Sequence, residues 1–415
     1  MVSSPASPAS AGPIAIVSHT IPGDLNGQAV MLDRLTTGDA QAGFVWIDTD
    51  RKARPRAERP GSIACHPVGT PFLLRKLFRA PRFHLPLYRA LVRQRSQAIA
   101  RIARQHGCQS IVACTGGDLV DLPASVEAGS RTGLPTFLYY FDDYQVQWDI
   151  LGGRWSRQAV AQLRSLAEPE VLRRCQGVIV PNETLASDIR GRSDVPVTIV
   201  RNPVDTAAYG ELRSRFPRQP PDPSQPLSIV YTGSVYAAQA DSLRRLCEAI
   251  DLLKSRGLQL QLQVHGPEPS PEVLRGLPAD RIAFHPPVSN AQSAQLQVQA
   301  DLLFLPLSFD CEFPELIRTS APGKFGEYLA SGTPVIVHAP ADSFPIGFVT
   351  EHACAAACSV PDRAALAETV AEMLLNPHRC AERTRRAIAA AEGFSEAVNR
   401  ERFYRFVAGR KAQAA

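Results

Sequence analysis

The sequence predicts an α/β protein of two doubly wound, Rossmann-like parallel-sheet domains, and three observations carry that expectation. Short apolar runs of buried-strand length alternate with helical stretches along most of the chain. The alternation restarts after a Pro-rich, polar interval at 206–226. At 415 residues the chain is long enough for two cores, one in each of two domains of roughly 150 to 200 residues. The expected layout is a disordered lead-in over 1–12, a first domain over 13–205, a surface connection over 206–226, a second domain over 227–393 and a closing helix within 394–415.

In the first domain, PIAIVSHT (13–20) reads as a buried strand, followed by the loop IPGDLNGQ and a helix from about Ala29 to Leu35. Gly23 and Gly27 let that loop turn tightly and leave room for a ligand beyond the strand. The loop lacks the G-x-G-x-x-G fingerprint, which argues against a nicotinamide or flavin enzyme. FVWIDTD (44–50) and SIACHP (62–67) are further strands. QSIVACTGGDL (109–119) ends in Thr115, Gly116, Gly117 and Asp118, and LPTFLYYFDDYQ (134–145) ends in Asp142 and Asp143. Both ends are expected on one side of a parallel sheet, where ligands bind. Adjacent carboxylates on an extended backbone point to opposite faces, so the pair makes a poor metal chelate; alternatively either Asp caps the next helix. Helical sequence runs to Arg174, GVIVPNETLASDIR (177–190) reads as strand, turn and helix, and VTIVRNPVD (197–205) closes the domain.

The second domain opens with SIVYTGSVY (228–236), where Gly233 and Ser234 form a turn before a helix whose amide end suits a phosphate. A strand within 258–267 ends in Gly266, another spans 281–288, and a helix covers about Ala291 to Gln299. His265 and His285 read as packed strand-end histidines. DLLFLPLSFDCEFPELIRTSAPGK (301–324) is a strand and loop leading into PGKFGEYLASGTPVIV (322–337), which reads as turn, short helix and strand. Lys324 and Glu327 fall in that helix's first turn, where amides and dipole favour a phosphate and a carboxylate can accept from a sugar's vicinal hydroxyls. The alternative is that Glu327 only complements the dipole and Lys324 only faces solvent. A short strand near Ala353 to Ser359 and helices over 364–375 and about 378–392 complete the domain.

Composition narrows the function classes. Hydrophobic residues are 45% and charged residues 20%, and no apolar run reaches the length of a membrane span. The first dozen residues lack a basic start and an apolar stretch of signal length, so a cytoplasmic protein is expected. Nine scattered cysteines fit buried thiols in a reducing compartment, and the Cys354 and Cys358 spacing is an isolated coincidence. The net charge is only +5, but Arg75, Lys76, Arg79, Arg82, Arg89, Arg93, Arg95, Arg101 and Arg104 occur without an intervening acid. With interleaved Leu77, Phe78, Leu87 and Leu91, that segment suits an anionic membrane face; equally, it suits a helix packed on its own sheet. No nucleic-acid module accompanies the charge.

The 322–337 stretch resembles the P-x-K-x-x-E-Y-L-A-x-G-x-P-V-I segment of family 4 glycosyltransferases, and 197–205 resembles that family's V-x-x-N-P-V-D crossing between domains. The resemblance implies the GT-B fold, two domains facing a cleft, with the last helix returning to the first. It implies that Glu327 holds the donor ribose, that the loop with Gly23, Gly27 and Asp118 lines the cleft, and that Asp142 and Asp143 jointly stand beside the reacting sugar. The sequence departs from the pattern in two places. Ser234, Ala237, Ala238 and Gln239 stand where many members clamp the diphosphate with Arg and Lys, which leaves Lys324, Arg318 and Arg201 as candidate cations. Thr319 stands where the first Glu of an E-x7-E pair is usual, with Glu315 and Glu312 on the same loop as substitutes. The implied activity is transfer of a sugar from a nucleotide donor to a glycan or lipid-linked acceptor, retaining, with neither metal nor cofactor and no nucleic-acid partner. A nucleotide-sugar 2-epimerase and a non-catalytic relative are the alternatives.

Overall fold

The computed structural model describes residues 12–23, 26–37, 43–49, 65–70, 81–218 and 225–408. The chain divides into two compact units, 1–200 with 400–415, and 201–399. The crossing lies at residue 201, and the segment expected as a connection is in part a helix of the second unit, Thr206–Arg215. Asp205 caps it by accepting from the Ala208 amide at 2.9 Å, and Tyr209 buries its ring. The prolines that suggested a linker begin at 217, after the helix has ended.

The first unit holds a parallel sheet of seven strands: β1 Ile14–Ser18, β2 Phe44–Asp48, β3 Cys65–Pro67, β4 Ser110–Cys114, β5 Thr136–Tyr139, β6 Gly177–Val180 and β7 Val197–Ile199, in the order β3-β2-β1-β4-β5-β6-β7. Its helices are α1 Gly27–Thr36, α2 His84–Gln105, α3 Asp121–Thr132, α4 Tyr144–Leu151, α5 Arg157–Arg174 and α6 Glu183–Arg192. Successive strand residues face opposite ways, so each strand feeds two cores. Val17, Ala113, Leu138 and Val180 pack with α2 and α3 residues such as Leu91 and Val126. Ile16, Val112, Phe137 and Ile179 pack with Met31 and Leu32 of α1 and with Phe403 and Val407 of the closing helix. This two-sided burial is why the strands read as continuous apolar runs. The order reverses between β1 and β4, and the loops after their carboxyl ends carry His19 and Thr115 to Asp118.

Helix α2 takes up the basic run. Leu87, Leu91 and Ile99 lie in the core, so the apolar side of the helix is occupied by its own sheet. Arg89, Arg93, Arg101 and Arg104 are exposed on the other side. Arg95 departs from that run: it is 1% exposed and paired with buried Asp121. Arg75, Lys76, Leu77, Phe78 and Arg79 lie outside the described residues, as do 1–11 of the lead-in.

The second unit holds a parallel sheet of six strands: β8 Leu227–Thr232, β9 Leu260–His265, β10 Ile282–His285, β11 Leu302–Pro306, β12 Val335–His338 and β13 Ala356–Cys358, in the order β10-β9-β8-β11-β12-β13. Helices α7 Thr206–Arg215, α8 Ala237–Ser255, α9 Pro271–Arg275, α10 Asn290–Gln299, α11 Pro314–Arg318, α12 Gly323–Ser331, α13 Phe344–His352, α14 Arg363–Leu375 and α15 Pro377–Ala391 surround it. Ile229, Leu262 and Phe304 pack with α8 and α14, while Val230, Leu305 and Val337 pack with α12. The closing helix α16, Glu396–Ala408, belongs to the first unit from Arg400 onward. Among the described residues no helix is long and apolar enough to cross a membrane.

Candidate functional site

In the second unit, Gly233, Ser234, Gly266, Lys324 and Glu327 come together at the carboxyl ends of β8 and β9 and the first turns of α12. Gly233 adopts φ 120°, a backbone open mainly to glycine, and its amide donates to the His265 carbonyl at 2.7 Å. A Cβ at this position would lie 2.9 Å from Lys324 Cε and 3.0 Å from Nζ. The lysine head therefore occupies the space a side chain would take. Lys324 Nζ donates to the Tyr231 hydroxyl at 3.1 Å, and that hydroxyl donates to the Ser234 carbonyl at 2.8 Å. A Cβ on Gly266 would meet the Gly233 carbonyl oxygen at 2.3 Å, so the two turns pack backbone on backbone.

Helix α12 starts without a side-chain cap, which leaves its amide end open to an anion. One turn on, half-buried Glu327 accepts from Gln297 Nε2 at 3.3 Å. The two other candidate cations are engaged elsewhere. Arg318 pairs with Glu315 at 2.7 Å on α11, which ties up one proposed cation and one proposed acidic substitute together. Arg201 is 9% exposed, with its guanidinium 5.1 to 5.8 Å from the ring centres of Phe344, Phe348 and Phe394. Thr319 is buried and donates to the Glu315 carbonyl at 2.8 Å, and Glu312 is exposed. His265 and His285 stack at 4.4 Å beside Gly266, and burial lowers the His265 pKa, with His285 adding to the effect.

In the first unit, the structure separates the acidic pair. Asp143 is buried, caps α4 by accepting from the Gln145 amide at 2.8 Å, and takes both Arg192 nitrogens at 2.9 and 3.1 Å. Arg192 also reaches Glu168 at 3.0 Å, and Glu168 accepts from Tyr140 and Gln145. Asp143 is thus committed to the fold, and the joint reading narrows to its neighbour. Asp142 is half-buried, and its carboxylate has no hydrogen-bond or ion-pair partner among the described residues. Burial first, and the Asp143 charge second, push it up to about 6. Its backbone is pinned by Thr115, whose hydroxyl accepts from the Phe141 amide at 2.8 Å.

The remaining predicted residues fall on neighbouring loops. The Asp118 amide donates to Asp121 at 3.0 Å, and Asp121 also binds Thr49 at 2.8 Å and Arg95, so a buried ion pair holds the loop after β4. Burial pushes the Asp121 carboxyl up, against the pull of Arg95. Gly23 adopts φ 99°, as a tight turn requires. Gly27 instead begins α1, and a Cβ there meets nothing within 4 Å, so no close approach demands glycine. Sequence reasoning missed His19, whose ring lies 2.7 Å from the Cβ position of Gly116, and the buried group around Gln297. The nine cysteines are free thiols, and no metal-ligating group occurs among the described residues.

Residues 226–376 match the family described as glycosyl transferases group 1. That match lies within the second unit. The fold of the chain is similar to that of sucrose-phosphate synthase from Thermosynechococcus elongatus, at 16% identity and a TM-score of 0.67 over 97% of this chain and 100% of that one. It is similar to an α,α-trehalose-phosphate synthase (UDP-forming) from Burkholderia xenovorans solved with glucose-6-phosphate, at 14% identity and 0.65 over 95% and 99%. An Anabaena protein solved with UDP matches at 12% and 0.59 over 96% and 100%. No curated protein sequence matches the chain significantly. Each of the two parallel sheets is thus one half of a GT-B architecture.

Proposed function

We propose that the protein is a glycosyltransferase that moves a sugar from a nucleotide-sugar donor to an acceptor hydroxyl, retaining its configuration and without a metal, in polysaccharide or glycolipid assembly. The observation that carries the donor half is the contact of Lys324 with Gly233, one helical turn from Glu327. In this reading Glu327 accepts from the ribose hydroxyls, while Lys324 and the open amide end of α12 take the diphosphate. The leaving group gains negative charge as the glycosidic bond breaks, so a cation and amides already in place stabilise the transition state more than the ground state. Asp142, whose carboxylate has no partner among the described residues, positions the acceptor or steadies the developing positive charge on the sugar. The UDP and glucose-6-phosphate bound by the two similar structures support a nucleotide donor and a sugar acceptor in class only.

Thermal shift against a panel of nucleotide sugars selects the donor, because a ligand that binds only the native form raises apparent stability. Turnover then decides the class. Transfer releases nucleoside diphosphate only with acceptor present. Release of an altered sugar without acceptor indicates an epimerase, and binding with neither product a non-catalytic protein; either result ends this reading. The exposed Arg89, Arg93 and Arg101 of α2 further support an anionic membrane surface as the place of the acceptor. Anionic vesicles are expected to recruit the protein at low salt and neutral vesicles not. Unchanged recruitment after all three are replaced by Glu removes that part.

A further inference from the structure

We infer that Gln297 is a positioning residue for Glu327, and that a buried line from Tyr209 through Gln297 sets how the carboxylate meets the donor's ribose; this rests on the donor reading above. Gln297 lies on α10 and is 0% exposed. Its Nε2 lies 3.3 Å from Glu327 Oε2, 2.9 Å from Thr232 Oγ1 and 3.2 Å from Ser293 Oγ. An ionised carboxylate only accepts, so the carboxamide must turn its NH2 toward Glu327 and its oxygen away. That oxygen accepts from the hydroxyl of Tyr209, itself 4% exposed on α7. Thr232 is the last residue of β8, immediately before Gly233, and its amide donates to the Tyr328 hydroxyl at 2.9 Å.

One side chain thus ties the helix that carries Glu327 to the strand end that carries the phosphate turn. A buried amide whose hydrogens and oxygen are all engaged has one orientation, and that orientation fixes one carboxylate oxygen. With that oxygen tied to Gln297, the direction of the carboxylate as a whole is set. Two hydroxyls on adjacent ribose carbons are recognised by such a fixed acceptor, whereas a ring lacking the 2′-hydroxyl offers it only one.

The test compares binding of UDP, GDP and ADP with their 2′-deoxy counterparts by calorimetry, in the full chain and in Gln297→Met, Tyr209→Phe and Glu327→Gln. The wild type is expected to prefer the ribose form by roughly 10- to 100-fold, the range for a hydrogen bond to a charged group. Gln297→Met keeps the volume and removes the donor, and is expected to reduce that preference to about threefold or less. Tyr209→Phe, which leaves the core packing in place, is expected to reduce it partway. Melting curves check that each variant is folded, and Tyr209→Phe carries the test if Gln297→Met is not. A wild-type preference retained in the folded variants while Glu327→Gln loses it overturns the role of Gln297 and leaves the donor site standing. If no diphosphate binds the wild type, or Glu327→Gln keeps the preference, the donor reading fails and this inference with it.

Discussion

Replacing Asp142 by Asn is expected to stabilise the protein and disable it at once. The carboxyl is held at about 6 instead of its ordinary 3.8 because burial and the Asp143 charge disfavour ionisation. A raised acid costs stability where the folded state must ionise it, so the cost is absent below about pH 3.8, grows as pH rises, and is complete above about 6. It amounts to at most about 3 kcal/mol at pH 8 and about 1 kcal/mol at pH 4.5. Asp142 keeps part of its surface in water, so the realised gain from the amide is smaller, on the order of 1 to 2 kcal/mol at pH 8. For a unit of about 200 residues that raises Tm by roughly 2 to 8 °C. Melting curves at pH 8 and pH 4.5 read the difference directly, and the gain should shrink in acid. Nucleoside diphosphate affinity should not change, while transfer with a saturating donor falls by roughly 100-fold or more. A gain equal at both pH values, or a loss of stability at pH 8, refutes the claim that the charge is held under strain. Full activity in the folded variant refutes the role at the acceptor.

Two further perturbations follow from the same geometry. Gly233→Ala places a methyl group within 3.0 Å of Lys324 on a backbone with φ 120°, so nucleoside diphosphate affinity should fall by about tenfold or more with Tm lowered by a few degrees; titration calorimetry reads the first and melting the second. Arg192→Ala strands the buried carboxylates of Asp143 and Glu168 together, and urea unfolding should show a loss of about 3 kcal/mol, less if water reaches the 31% exposed guanidinium.

Much of this architecture was legible because it is written in local pattern. The apolar strand runs and the glycine turns at 233 and 266 need only spacing to be seen, while Lys324 and Glu327 at a helix start are singled out by the resemblance of 322–337 to the family segment. What remained hidden depends on residues far apart in the chain. Arg95 sits in a run of exposed arginines and differs from them only through Asp121, 26 positions later. Asp142 and Asp143 are chemically identical neighbours until Arg192 selects one of them. Gln297 lies in NAQSAQLQVQ, where three other glutamines make it look like one more solvated amide, and only the approach of Tyr209 and Glu327 marks it out. The helix after Asp205 was masked by the prolines beyond its end, although Asp205 is a strong capping residue.

The departures from the family pattern acquire a physical meaning once the candidate cations are sorted. A departing diphosphate requires positive charge close to its oxygens, and the turn after β8 supplies none of its own, only Ser234 and the Gln239 that caps the Tyr236 amide. Arg318 is neutralised by Glu315, and Arg201 is enclosed by phenylalanine rings. Of the three, Lys324 alone has its head at the glycine turn, held there by Tyr231, whose hydroxyl accepts from the ammonium and donates into the turn at Ser234. Tyr231 brings no negative charge to offset the ammonium, unlike a carboxylate partner. In the donor reading proposed above, a single oriented lysine backed by helix amides takes the place of the Arg and Lys of the family pattern, and its orientation is the advantage, since a charge fixed beforehand needs no reorganisation as the bond breaks.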